Sequence, residues 1–124
     1  MGIERKVLTI STTGSAASAT GSGVLALPPC ELLALFFDFN ASAPSTTDTT
    51  VTAIGGDEAD QTLLTLTNVN TDAWYRPKVQ DHDSAGAAIT GAYKHPVLHN
   101  NLLIEIAQAD ALAPCETVTV LIKT

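Results

Sequence analysis

Basic residues are scarce in this sequence. Lysine and arginine together number six, against thirteen aspartates and glutamates, and the formal net charge is −7 at pH 7. A surface with that charge repels the phosphates of nucleic acids and the anionic cytoplasmic face of membranes. We therefore expect no nucleic acid and no membrane among the partners of this protein.

Long apolar runs are missing as well. The longest one, residues 24–39, is interrupted by two prolines and a glutamate and is too short to cross ~30 Å of hydrocarbon as a helix. The first six residues carry charges of both signs with no apolar stretch behind them, so we expect no secretory signal. A length of 124 residues suits one soluble domain, residues 1–124, with its own core.

Cysteine occurs twice. Cys30 and Cys115 each stand between a proline and a glutamate, just ahead of an apolar segment. A chain without a secretory signal is made where thiols stay reduced, which argues against a disulfide. We expect two free and mostly buried thiols, because unpaired cysteine behaves as a small hydrophobe.

Helical spacing of apolar residues is almost absent, whereas period-two alternation of β-branched and aromatic residues recurs along the chain. This pattern predicts an all-β protein, a β-sandwich of the jelly-roll or immunoglobulin-like kind with about seven to nine short strands. The last two alternating segments, residues 102–107 and 118–122, are predicted to form a hairpin. Residues 1–23 end in a run of Ser, Thr, Ala and Gly, so they are expected to form an N-terminal arm or an edge hairpin.

The most apolar predicted strand, residues 31–39, is apolar on both faces. Alternation places Leu32 and Phe36 on the face opposite Leu35 and Phe37. Only one strand face points inward in a two-sheet sandwich, so Leu32 and Phe36 need another cover. We predict an oligomer interface there, and the alternative is cover by the Ser/Thr/Ala-rich segment.

Motifs for catalysis and cofactor binding are lacking. The sequence contains no nucleophile elbow, phosphate loop, zincin helix or dinucleotide fingerprint. Asp57, Glu58 and Asp60 follow two glycines in a polar loop, where solvated carboxylates catalyse little. We therefore expect no enzyme and no cofactor.

Residues 81–86 resemble the start of a calcium loop, because two aspartates at alternating positions precede a glycine. Ala85 replaces the next oxygen ligand, and Ala92 stands where the closing glutamate belongs. The alternatives are a polar hairpin turn and a metal site, and the incomplete ligand set favours the turn.

Three histidines, His82, His95 and His99, are the candidate ligands of a zinc site. The spacing of four between His95 and His99 would align them on a helix, but Pro96 and the surrounding β pattern argue against a helix. We expect no metal at these residues.

Trp74, Tyr75 and Arg76 concentrate residue types that dominate protein interfaces, so they are the candidate contact with a partner. The alternative is that Trp74 fills one end of the sandwich, as a core tryptophan does in many small sandwiches.

The run LTLTNVNTDAWYRP at residues 64–77 carries a family resemblance. Together with DTTVT at 48–52, DSAG at 83–86 and VTV at 118–120, it resembles the small β-rich virion structural proteins of tailed bacteriophages, among them capsid decoration or cement proteins. The resemblance covers roughly residues 24–124.

This resemblance implies a non-enzymatic virion protein that binds the outer capsid surface and stabilises the shell. It further implies synthesis in the host cytoplasm, the major capsid protein as partner, and a homo-oligomer with a trimer favoured. The alternatives are a tail, neck or fibre component, or, from a different class, a carbohydrate-binding sandwich module that uses Trp74, Tyr75 and the loop at 81–83.

Overall fold

A computed structural model of the protein describes residues 2–55 and 59–124. It confirms the all-β prediction, and the described residues form eleven strands. The strands are β1 Ile3–Ile10, β2 Ala19–Leu25, β3 Cys30–Phe39, β4 Asp48–Ile54, β5 Gln61–Leu66, β6 Ala73–Tyr75, β7 Val79–His82, β8 Ala88–Lys94, β9 Val97–Leu98, β10 Asn101–Ala109 and β11 Glu116–Lys123.

Nine of the strands form two antiparallel sheets. Sheet 1 has the order β1-β11-β3-β6, with β9 pairing the other end of β3, and sheet 2 has the order β2-β10-β4-β5. Strands near the start of the chain pair with strands near its end, β1 with β11 and β2 with β10, as in a jelly roll. Strands β7 and β8 pair with each other as a separate hairpin.

The inner faces of the two sheets share one core. Inward side chains of β10 and β11 alternate with outward ones, as the period-two pattern predicts. The fully buried set includes Val51, Leu102, Ile104, Ile106, Val118, Val120 and Ile122. Strands of both sheets contribute to this cluster, which makes the molecule a two-layer sandwich.

The predicted C-terminal hairpin is wrong. Strand β10 pairs with β2 and β4 in sheet 2, whereas β11 pairs with β1 and β3 in sheet 1. The connection between them crosses from one sheet to the other, and it is held by hydrogen bonds from Thr12 N to Leu112 O and from Cys115 N to Ile10 O. Alternation specifies which face of a strand is inside, but it does not specify the neighbouring strand.

The expected N-terminal arm is also not what the described residues form. Strand β1 is an edge of sheet 1 and β2 is an edge of sheet 2, so the two strands lie in different sheets and do not pair as the alternative edge hairpin. Small residues are needed here because the chain crosses itself closely: a Cβ atom on Gly21 would collide with the carbonyl oxygen of Ser11. Ala19 is completely buried in the same segment.

Strand β3 departs from strict alternation. Leu121 pairs with Ala34 but Ile122 pairs with Leu32, so β3 contains one extra residue at a β-bulge. Because of the bulge, residues of β3 before it point to the face opposite to the one that strict alternation predicts. Leu32 therefore lies in the core with none of its surface exposed. The prediction that Leu32 shares the outer face with Phe36 is therefore wrong for Leu32.

Candidate functional site

A row of side chains crosses the outer face of sheet 1. The strand register places Val7, Thr119, Phe36 and Trp74 side by side on four neighbouring strands. The rings of Phe36 and Trp74 are 5.1 Å apart between centroids and tilted by 50°, an arrangement that adds to the energy of simple burial. Trp74 remains 49% exposed, so it does not fill an end of the sandwich.

The three residues predicted as a partner contact are divided between the two faces of sheet 1. The guanidinium carbon of Arg76 lies 5.8 Å from the centroid of the Trp74 ring, in a cation–π contact. Tyr75 points inward and meets Phe37 edge-on, with 5.7 Å between ring centroids. Trp74 and Arg76 are therefore available to a partner and Tyr75 is not. Because Trp74 and Tyr75 lie on opposite faces of sheet 1, they do not line one sugar-binding site together.

The same outer face carries a second apolar group at the opposite end of its strands. Ile3 is 69% exposed and Val97 is 71% exposed. The register aligns them in one row with Lys123 and Glu31 between them. We define the outer face of sheet 1 by these two rows and by the residues between them, Arg5, Leu33 and Leu121, together with Asp38 and Arg76.

The outer face of sheet 1 is basic within an acidic chain. It holds Arg5, Arg76 and Lys123, three of the six basic residues in the sequence. Glu31 and Asp38 are its acidic residues, which leaves a formal charge of +1 on this face of a chain with net charge −7. Apolar, aromatic and basic side chains together are the composition of a protein–protein contact.

The run that carries the family resemblance performs structural tasks in the β5–β6 connection. The carboxylate of Asp72 accepts a hydrogen bond of 2.8 Å from Phe39 N, and Asn70 donates one of 2.9 Å to the carbonyl oxygen of Ala43. These bonds fix where β6 enters sheet 1, and therefore where Trp74 meets Phe36.

The predicted hairpin turn at residues 81–86 is confirmed. Asp83 accepts hydrogen bonds of 2.9 Å from Ala85 N and 3.0 Å from Ala87 N, and Gly86 has a φ of 82°, which glycine adopts readily. The carboxylate of Asp83 thus caps the turn that joins β7 to β8. Among the described residues, no group of three or more metal-ligating side chains comes together.

The other polar candidates are dispersed. His82 lies on β7, and Lys78 Nζ lies 3.3 Å from His95 Nε2. Asp60 is exposed at the rim of a hollow of about 200 Å³ between the β4–β5 loop and the β9–β10 connection. Asp57 and Glu58 lie outside the described residues.

A buried carboxyl group connects the two sheets. Glu116 is completely buried, and its Oε2 accepts a hydrogen bond of 2.7 Å from Thr49 Oγ1. Its Oε1 has no hydrogen-bond partner among the described residues. Burial raises the pKa of Glu116 to about 7, while the hydrogen bond from Thr49 lowers it. The sequence pattern could have predicted that Glu116 is buried, because Glu116, Val118 and Val120 occupy alternate positions of β11 and so lie on the same face of the strand.

Both cysteines are buried and free, so the predicted burial is confirmed. Burial raises the pKa of the Cys30 thiol, and the nearby carboxylate of Glu4 adds to the effect. Burial also raises the pKa of the Cys115 thiol, partly offset by a hydrogen bond with Thr12. Protonated thiols are poor nucleophiles and poor metal ligands.

Comparison with models of protein families, with curated proteins and with solved structures gives no match for this chain. Within residues 2–55 and 59–124, no helix is long and apolar enough to span a membrane.

Proposed function

We propose that the protein is a non-enzymatic virion structural protein, specifically a capsid decoration protein that binds the outer capsid surface and stabilises the shell. One observation carries the proposal. The outer face of sheet 1 holds four of the seven large apolar side chains that are exposed among the described residues, namely Ile3, Val7, Trp74 and Val97. Contiguous apolar patches with a polar rim mark protein contacts on soluble proteins.

The resemblance in residues 64–77 supports a virion as the place of action. The partner in this proposal is the major capsid protein, the location is the outer surface of the capsid, and synthesis takes place in the host cytoplasm. A net charge of −7 suits the outside of a shell, whereas contact with packaged DNA would favour a positive surface.

The mechanism follows from repetition and linkage. A capsid presents many identical sites, so modest single contacts combine into firm attachment when the protein is a homo-oligomer, with a trimer favoured. A ligand that binds the mature shell better than the disassembled state stabilises the shell in proportion to its binding free energy. In this role the protein bridges neighbouring capsid subunits by binding, and no chemical reaction is required.

The test measures the melting temperature of mature capsids of the phage that encodes the protein. Added wild-type protein should raise that temperature, and Trp74→Ser should reduce the shift, because it removes the most exposed aromatic anchor on sheet 1. Val24→Ser is the matched control, since Val24 is 51% exposed on the outer face of sheet 2. No shift with saturating wild-type protein would contradict the proposal.

A further inference from the structure

The free edge of β1 is the longest regular strand edge on the described part of the sandwich. Strand β1 pairs with β11 through eight residues in unbroken register and, among the described residues, has no second neighbour in sheet 1. The opposite side of sheet 1 is formed by the short strands β6 and β9, and the pairing of both edge strands of sheet 2 is interrupted by a register shift. A long and regular edge is a template for pairing with another chain.

The hydrogen bonds of β1 show which of its residues are unpaired at this edge. Gly2 and Thr124 exchange two backbone hydrogen bonds, one of 3.3 Å donated by Gly2 N and one of 3.0 Å donated by Thr124 N. In an antiparallel ladder such pairs alternate with pairs that exchange none, so the even-numbered residues of β1 bond to β11. The N–H and C=O groups of Ile3, Arg5 and Val7 therefore point away from β11, toward the free edge.

We propose that β1 pairs antiparallel with β1 of a second copy of this chain, around a two-fold axis at Arg5. The edge groups then form hydrogen-bonded pairs of Ile3 with Val7, of Arg5 with its own counterpart and of Val7 with Ile3, about six backbone bonds in all. Main-chain hydrogen bonds of this kind supply the affinity when a strand is added to a sheet edge. The contact is isologous, so it closes as a dimer and does not propagate.

The charges on β1 favour a second copy as the occupant. Glu4 and Lys6 lie on the same face of the strand as an ion pair of 3.4 Å, with 46% and 40% of their side-chain surfaces exposed. With the axis at Arg5, Glu4 of each copy lies opposite Lys6 of the other in a non-hydrogen-bonded pair, where facing side chains are closest. Each carboxylate then has one ammonium group beside it along its own strand and another across the interface.

Other registers lose this match. An axis at Glu4 or at Lys6 would place two identical charges directly opposite each other, and an axis at Val7 would leave Glu4 and Lys6 opposite apolar residues. With the axis at Arg5 the two guanidinium groups face each other. Their residues form a hydrogen-bonded pair with about 5.5 Å between Cα atoms, and arginine side chains are long enough to separate their charges in water.

An inward lysine at a sheet edge often prevents pairing. Lys6 alone would have that effect, but Glu4 converts the repulsion into attraction in one register. The pairing uses the edge of β1, so the side chains of Ile3 and Val7 stay on the outer face of sheet 1 and the two copies present their outer faces side by side. The proposal goes beyond the proposed function and does not depend on it, because it concerns a two-fold contact that a trimer does not require.

Sedimentation velocity on the purified protein, from low micromolar to several hundred micromolar, tests the proposal without any capsid. Wild type should dimerise. Glu4→Lys and Lys6→Glu should each weaken dimerisation ~tenfold, because each substitution places like charges opposite each other at two symmetric positions. A mixture of the two variants should form a heterodimer at least as stable as the wild-type dimer, because every facing pair of these charges is again opposite in sign.

Glu105→Lys is the matched control, since it makes the same change in charge on the outer face of sheet 2. It lowers the net negative charge as Glu4→Lys does, so it should not weaken dimerisation. Wild type that stays monomeric at the highest concentration, a Glu4→Lys chain that dimerises like wild type, or two charge variants that do not associate with each other would each overturn the proposal.

Disulfide trapping then tests the register. A Glu4→Cys chain mixed with a Lys6→Cys chain should form a mixed disulfide under mild oxidation, because facing Cα atoms of a non-hydrogen-bonded pair are about 4.5 Å apart, within the span of a disulfide. Either variant alone places its new thiols diagonally, about 7 to 8 Å apart, and should cross-link more slowly. The native thiols are buried. Equal rates for the mixture and for the single variants would overturn the register centred at Arg5.

Discussion

The two outer faces of the sandwich are built from strands of the same kind, but they present different side chains to water. On sheet 1, one row joins Val7, Thr119, Phe36 and Trp74. On sheet 2, the equivalent row joins Val24, Leu103, Thr52 and Thr62. The face of sheet 1 carries three basic residues, whereas that of sheet 2 carries the acids Asp48 and Glu105 and, among the described residues, no lysine or arginine.

This difference distinguishes the side chains that the fold requires from those that it does not require. Both inner faces are apolar because they share one core. A threonine-rich outer face, as on sheet 2, satisfies a strand exposed to water. The aromatic and basic residues of the outer face of sheet 1 are not required for folding, and large exposed apolar side chains are the informative exception on a protein surface. The contrast therefore points to sheet 1 as the contact face.

The largest expected effect tests which side chains of β3 belong to the outer face. Leu32→Ala should lower the free energy of unfolding by about 2 to 5 kcal/mol, because it opens a cavity in the shared core. Phe36→Ala should cost about 1 kcal/mol, the order of one aromatic pair, because Phe36 lies on the outer face against Trp74. Urea denaturation of the two variants measures both values. Equal costs would show that the bulge does not exchange the faces of β3.

The second prediction concerns the carboxyl group between the two faces. An unfolded glutamate has a pKa of 4.5, whereas folded Glu116 has one of about 7. Between these values the folded state holds a proton that the unfolded state has lost, so stability falls as pH rises through this window and the loss is complete above about pH 7. The loss at pH 8 relative to pH 4.5 should be about 3 kcal/mol, at about 1.4 kcal/mol per pKa unit.

The contribution of Glu116 is isolated by comparing variants over pH 4.5 to 8. Glu116→Gln should remove most of the fall in stability, because glutamine does not ionise and its carbonyl can still accept the hydrogen bond from Thr49. Glu105→Gln, which changes an exposed glutamate on the outer face of sheet 2, should keep the wild-type slope. The histidines are common to all three proteins. A Glu116→Gln slope equal to that of wild type would place the titration elsewhere.

The fold class was predictable because the period of the apolar residues is local information. In β10 and β11, alternation alone identifies the buried side chains, and the structure places them as expected. Glu116 follows the same alternation, but its burial is not expected from the sequence because a charged residue is rarely found in a core. The neighbours of each strand were not predictable, since lateral pairing depends on the whole topology and not on one segment.

The residues of the candidate site were likewise predictable only in part. That Trp74 and Arg76 form a contact group could be inferred from residue type, but that Phe36 joins them depends on β6 pairing with β3. The error at Leu32 arises from a bulge, which is set by the register of β3 against β11 and leaves no signal in the alternation of β3 itself. The turn between β7 and β8 was predictable from residues 81–86, whereas the separation of this hairpin from both sheets was not.

The smallest expected effect tests whether the contact with Arg76 orders Trp74 on the outer face of sheet 1. The protein has one tryptophan, so its fluorescence reports on this face alone. Arg76→Ala should lower the free energy of unfolding by no more than about 1 kcal/mol, the value of an exposed cation–π contact, and should make Trp74 more accessible to quenching by acrylamide. Arg5→Ala removes a guanidinium from the same face but from β1, three strands away from β6, and should leave the quenching unchanged. If both substitutions raise quenching equally, the charge of the face as a whole controls access of the quencher, and the specific stacking of Arg76 on Trp74 is not what orders the anchor.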